Sequence, residues 1–193
     1  MSKAIDELMT EHRLILKVLA SLETFANQVQ QGAAAERETI RGYAEFFRSF
    51  ADKCHHGKEE DRLFQAMASH GFPREAGPIA VMLAEHVEGR EHVGALAGVG
   101  SGGGGPLTPA ERENVVAHAR DFISLLRDHI GKEDNVLYPM ALRVIPPSVM
   151  DSLHSDFAAF EKEVMGEGAH ERFHRLAESL IKAYPPGPAD GRA

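Results

Sequence analysis

The sequence predicts an all-α protein: an up-down-up-down four-helix bundle with an additional helical segment at its C-terminus. Four long stretches carry apolar residues at the three- and four-residue spacing of a helix with one buried face. The breaks between them are short and rich in glycine and proline. No stretch shows the alternation of a half-buried strand. With 193 residues, 43% of them hydrophobic and 26% charged, the chain can bury a core of its own. We expect residues 1–145 to form the bundle, 146–184 a helical extension packed on it, and 185–193 a disordered tail.

Composition removes several classes of function. A net charge of −8 without a Lys/Arg cluster repels a phosphate backbone, so nucleic acid is not an expected partner. No apolar run approaches the roughly 20 residues of a membrane span, and the start Met1-Ser2-Lys3 leads into no signal-peptide core. The expectation is a cytoplasmic protein without membrane contact. A homodimer is compatible with the sequence. The single cysteine, Cys54, excludes an intramolecular disulfide and any Cys-rich zinc or iron–sulfur site. The unusual count is eleven histidines.

The first helix, from about Ala4 to Gln31, presents Leu8, His12, Ile15, Leu19, Leu22 and Ala26 on one face, a stripe with one histidine in it. The second runs from about Glu36 to Ser69. Its apolar side is Tyr43, Phe46, Phe47, Phe50 and Cys54, followed in the same sector by His55, Lys58, Glu59, Leu63 and Met67. An α-helical phase puts His56 and Glu60 about 100° away, above Ser49, Asp52 and Lys53 on the wetter side. They form a rival register for the inward pair His55 and Glu59, or a supporting shell around it.

The third helix, about Gly77 to Gly98, has the inner stripe Ile79, Met82, Leu83, His86, Val93 and Ala97. His92 faces elsewhere, toward solvent, and Arg90, one turn after His86, is expected to pair with a glutamate such as Glu85. Residues 100–106 form a glycine-rich connector without the Gly-Lys-Ser/Thr ending of a phosphate loop. Thr108 before Pro109, with Glu111 three residues on, starts the fourth helix, which extends to about Leu142. Its stripe is Phe122, Leu125, Leu126, His129, Glu133, Val136 and Met140; His118, on the same face, lies roughly 16 Å from His129. After Pro146-Pro147 the last helical stretch carries Leu153, Phe157, Phe160, Phe173 and Leu180, with His154, His170 and His174 on its surface.

One stretch occurs twice. His55-His56-Gly57-Lys58-Glu59-Glu60-Asp61-Arg62-Leu63-Phe64 returns as His129-Ile130-Gly131-Lys132-Glu133-Asp134-Asn135-Val136-Leu137-Tyr138, from position 55 to position 129, a displacement of 74. Each copy sets an imidazole and a carboxylate one turn apart on a helix face. If adjacent helices alternate in direction, His12, His55, His86 and His129 fall in one layer with Glu59 and Glu133. Nitrogen and oxygen donors without thiolate suit iron, manganese or zinc, and two carboxylates that can bridge suggest two ions. Buried without a cation, such groups would be costly.

At these residues the chain resembles the hemerythrin-like, or HHE cation-binding, domains: Glu11-His12, His55-His56-x-x-Glu59-Glu60, Glu85-His86-x-x-Gly89-Arg90 and His129-x3-Glu133, over about residues 5 to 142. The resemblance implies a non-haem centre of two iron ions, with Glu59 and Glu133 as bridging carboxylates and the histidines as terminal ligands; zinc or manganese fits the same donors. Oxygen-carrying hemerythrins have His-x3-His on the third helix, where this chain has Arg90, and His-x4-Asp on the fourth, where it has His-x3-Glu. One ligand is therefore missing or replaced, by His56, by water or by a tyrosine. The expected function is to bind, sense or handle a small oxidant such as dioxygen, nitric oxide or peroxide, or to tune iron and redox balance. The alternatives are a peroxidase- or catalase-like or oxidase enzyme at the same centre, and a metal-free helical interaction module.

Overall fold

A computed structural model of the chain describes residues 2–187. Six helical rods account for its regular structure, and no strand occurs among the described residues. Helix α1 is Lys3–Gln30. Rod α2 covers 37–69 without a break, and is α-helical over Arg37–Phe46 and Phe64–Ser69 but π-helical over Phe47–His56 and Glu59–Leu63. Helix α3 is Gly77–Gly100. Rod α4 covers 109–144 and contains a π-helical turn at Glu133–Leu137. Helices α5, Pro147–Met165, and α6, Ala169–Ala183, follow.

The helix starts have local causes. Thr108 caps α4 by accepting from the Glu111 amide at 3.2 Å, while the Glu111 carboxylate accepts from the Thr108 amide at 2.8 Å. Between α5 and α6, Gly166 and Gly168 take φ of 78° and 73°, a conformation that other residues adopt only under strain.

Two apolar cores fill the bundle. One takes the far half of α1 (Ile15 to Val29), the near half of α2 (Ile40 to Ala51), Val93 and Leu96 of α3 and the near half of α4 (Val115 to Ile130). The other takes Ala4, Ile5 and Leu8 of α1, Leu63, Phe64 and Met67 of α2, Ile79 and Met82 of α3, and Leu137, Tyr138 and Ala141 of α4. Each core thus joins the start of one rod to the end of the next, as rods of alternating direction must. Helices α5 and α6 close both cores from outside, through Met150, Leu153 and Phe157 at one end and Phe173, Ala177 and Leu180 at the other. The Phe160 ring lies over Gly57, where an added Cβ would stand only 2.6 Å from Phe160 Cζ. Of the expected tail 185–193, residues 188–193 lie outside the described residues.

The π-helical turns correct the helical phase assumed for two faces. A π turn bonds i to i+5 and takes up an extra residue, so everything beyond it rotates. In the π segment of α2, His56 is buried instead of lying on the wetter side, while Asp52 stays beside it. In α4 the inner face passes from Glu133 to Leu137 and Tyr138, both buried, while Val136, expected inside, is 45% exposed.

Candidate metal centre

Between the two cores lie six titratable side chains, each at most 1% exposed: His12 of α1, His55 and Glu59 of α2, His86 of α3, and His129 and Glu133 of α4. His56 joins them. Their donor atoms fall into two groups, each compact enough to surround one ion: His56, Glu59, His86 and His129, and His12, His55, Glu59 and Glu133. Glu59 belongs to both. Glu133 also reaches both sides, with one oxygen 3.2 Å from His129 Nε2 and the other 3.2 Å from His12 Nε2.

The donors answer poorly to one another. His55 Nε2, one oxygen of Glu59 and both oxygens of Glu133 are buried without a hydrogen-bond partner, and His86 Nε2 and His129 Nε2 point at each other across 3.1 Å. Buried polar atoms are otherwise almost always paired, and leaving a carboxylate bare is among the most costly arrangements in a protein. Cations between these atoms satisfy all of them at once. The residues fit a metal.

Behind every imidazole stands a carboxylate. His12 Nδ1 donates to Asp134 at 2.8 Å, His55 Nδ1 to Glu11 at 2.9 Å, His86 Nδ1 to Glu60 at 2.8 Å, and His129 Nδ1 to Glu85 at 2.9 Å. His56 Nδ1 faces Asp52 at 3.4 Å. Such a bond fixes the ring and leaves Nε2 as the lone-pair nitrogen, the usual support of a metal-binding histidine. Two of these carboxylates are themselves clamped by lysine: Lys58 donates to Glu11 at 2.6 Å, and Lys132 to Glu85. The displacement that relates His55 to His129 also carries Glu11 to Glu85, His12 to His86, Lys58 to Lys132, Glu59 to Glu133 and Glu60 to Asp134. The repeat therefore extends to these supports, and the lysine recurs because it has the same task in each copy.

The family model described as Hemerythrin HHE cation binding domain matches residues 3–141. The chain belongs to the hemerythrin family. Neither the curated proteins nor the solved structures yield a match. The buried histidine and glutamate groups fit the cation binding that the family's description names, and no helix among the described residues is long and apolar enough to cross a membrane.

Charge in this HHE domain is unevenly held. Burial would depress the His12 imidazole, but Asp134 and Glu133 outweigh it and raise His12 to about 9. Burial is likewise overcome at His129 by Glu133 and Glu85, which raise it to about 10. At His56 burial and the neighbouring His86 prevail over Asp52 and lower it to about 3. Burial and the nearby Glu133 push Glu59 well above the usual carboxylate range, whereas at Glu133 the charges of His129 and His12 overcome burial and hold it well below. One of the two carboxylates thus keeps a proton when no cation separates them.

Several expectations change at this hemerythrin centre. Of the two roles open to Glu60, ligand or support, it takes the second and holds His86 at 2.8 Å. Arg90 does not pair with Glu85 but with Asp52 and Glu60, at 2.7 and 2.6 Å, because Glu85 is taken by His129 and Lys132. His92 and His118 meet each other half-buried, their Nδ1 atoms 3.0 Å apart. The supporting residues Glu11, Glu85, Asp134 and Lys58 were given no role at the centre, although Lys58 and Asp134 lie within the repeat and extending it toward the N-terminus would have paired Glu11 with Glu85. Tyr138 was missed too: its hydroxyl donates to Glu59 at 2.7 Å and lies 3.3 Å from His12 Nε2. Its counterpart in the repeat is Phe64, so the repeat carries no signal for the hydroxyl.

Proposed function

We propose that this protein holds two iron ions in the layer formed by His12, His55, His56, Glu59, His86, His129 and Glu133, and that it uses them to bind or sense a small oxidant: dioxygen, nitric oxide or peroxide. The observation that carries this reading is the sharing of Glu59 by two compact donor groups, since a carboxylate common to two sites is what a pair of ions needs. Glu133, with one oxygen toward each group, supports it. Iron in such a site supplies a redox-active Lewis acid.

The size of the ligand follows from the space available. A cavity of about 60 Å³ lies against His56, His86 and His129, walled by Phe47, Phe122 and Leu126. A water needs roughly 10–15 Å³ by the same measure, so a diatomic molecule or peroxide fits and a larger organic substrate does not. Most of the wall is apolar, which favours an uncharged ligand, although Asp52, Glu85 and Arg90 also line the cavity.

Metal analysis of protein purified without chelator tests the reading, together with visible spectra in air, under nitrogen and with nitric oxide. Two iron ions per chain and a spectrum that differs among the three atmospheres are expected. Folded protein that takes up no metal overturns the proposal.

A further inference from the structure

The repeat makes the two halves of the centre nearly equivalent, so the places where it fails distinguish one ion position from the other. Around the group of His86 and His129 three polar residues depart from it together. His56 stands opposite Ile130, Asp52 opposite Leu126, and Arg90 opposite Leu16. All three are apolar in the other half, and here Asp52 touches both His56 and Arg90.

Their geometry forms a single device. The His56 ring is stacked on His86, centroids 3.8 Å apart and planes within 12°. Arg90 follows His86 by one turn and bridges two carboxylates: its Nε donates to Asp52 at 2.8 Å and its Nη2 to Glu60 at 2.6 Å. Asp52 stands at Nδ1 of His56 and Glu60 at Nδ1 of His86. One guanidinium therefore fixes the supports of two adjacent imidazoles, a task that suits its planar fork. The π winding of Phe47–His56 brings His56 inward in the first place.

We propose that His56 is the third nitrogen donor of the ion position formed with His86 and His129, supplied from α2 because α3 carries Arg90 one turn after His86, and that Arg90 is a positioning residue acting through Asp52. The inference rests on the two-ion reading above. It makes the centre asymmetric: three imidazoles at one position, and His12 and His55 with the Tyr138 hydroxyl nearby at the other.

Cobalt(II), whose visible absorption reports its ligands, tests this on the full chain. The wild type takes up two ions. His56→Ala keeps one ion at wild-type affinity and loses at least about 100-fold at the other; His56→Phe, which keeps the stacked ring, does the same and serves if the alanine variant does not fold. Arg90→Gln weakens that same ion by about 10- to 100-fold, the range for lost outer partners, and leaves the melting temperature of chelator-treated protein unchanged. The double variant His56→Ala/Arg90→His returns the nitrogen to α3 and recovers the second ion. Two ions bound by His56→Ala with the wild-type spectrum overturn the role of His56 alone. Wild-type protein that binds no cobalt overturns the two-ion reading and this inference with it.

Discussion

Replacing Glu59 by glutamine separates the stability of the fold from the stability contributed by the ions. Glu59 is fully buried, and burial beside Glu133 keeps it protonated when no cation is present. Glutamine has nearly the shape and charge of a protonated glutamate, so in chelator-treated protein Glu59→Gln should change stability by less than about 1 kcal/mol. With metal the outcome reverses. An ion at 100 times its dissociation constant stabilises a folded protein by about 2.7 kcal/mol, hence about 5 kcal/mol for two. Because Glu59 belongs to both donor groups, both contributions fall. For a chain of this size 1 kcal/mol moves the melting temperature by about 2–4 °C, so the loaded variant should melt roughly 10–20 °C below the loaded wild type. His86→Gln, in one group only, should lose about half as much. Melting by circular dichroism, with and without EDTA, measures all four differences. If the Glu59→Gln deficit is the same in EDTA as with metal, the carboxylate is a structural group and the centre does not exist as described.

The two lysines of the repeat should behave differently despite equal sequence context. Lys58 is fully buried against Glu11 and Glu7, so Lys58→Met should cost about 3–5 kcal/mol in urea unfolding; Lys132, 42% exposed, should cost under about 1 kcal/mol. The π turn in α4 makes a second contrast: Leu137→Ala should destabilise by about 2–5 kcal/mol and Val136→Ala by no more than about 0.5 kcal/mol, whereas equal costs would restore the plain α-helical phase. His12 and His129, raised to about 9 and 10, carry protons at pH 7 that a cation must displace. Metal affinity should therefore rise from pH 7 to about 9 with release of roughly three protons, the third from Glu59. Calorimetry in buffers of different ionisation heat measures that release, and an affinity that is flat or falls over this range contradicts the assignment.

The fold and the meeting of six side chains were legible in the sequence because both depend on periodicity. Four apolar stripes, each interrupted by one histidine and two of them by a glutamate one turn later, left few ways to pack. His56 was misplaced for the same reason: its position depends on the winding of Phe47–His56, and composition gives no sign of a π turn. Val136 failed in the same way. Four of the five carboxylates behind the histidines come from neighbouring rods, so no spacing within one helix reveals them; only Asp52 shares a rod with its histidine. Arg90 shows the limit most plainly, since its partners Asp52 and Glu60 lie 38 and 30 positions earlier in the chain.

The duplication has a consequence for how such a centre can be asymmetric at all. A helical hairpin comprising α1 and α2, paired with an identical copy across a two-fold axis, would already contribute His12, His55 and Glu59 twice, together with Glu11, Lys58 and Glu60 behind them. In such a pair every feature must appear on both sides. Joining the hairpins through the short loop at 70–76 releases that constraint, and only then can one cradle gain an imidazole from His56 while the other gains a phenol from Tyr138. Fusion into one polypeptide is thus what allows two chemically distinct seats within a single cluster.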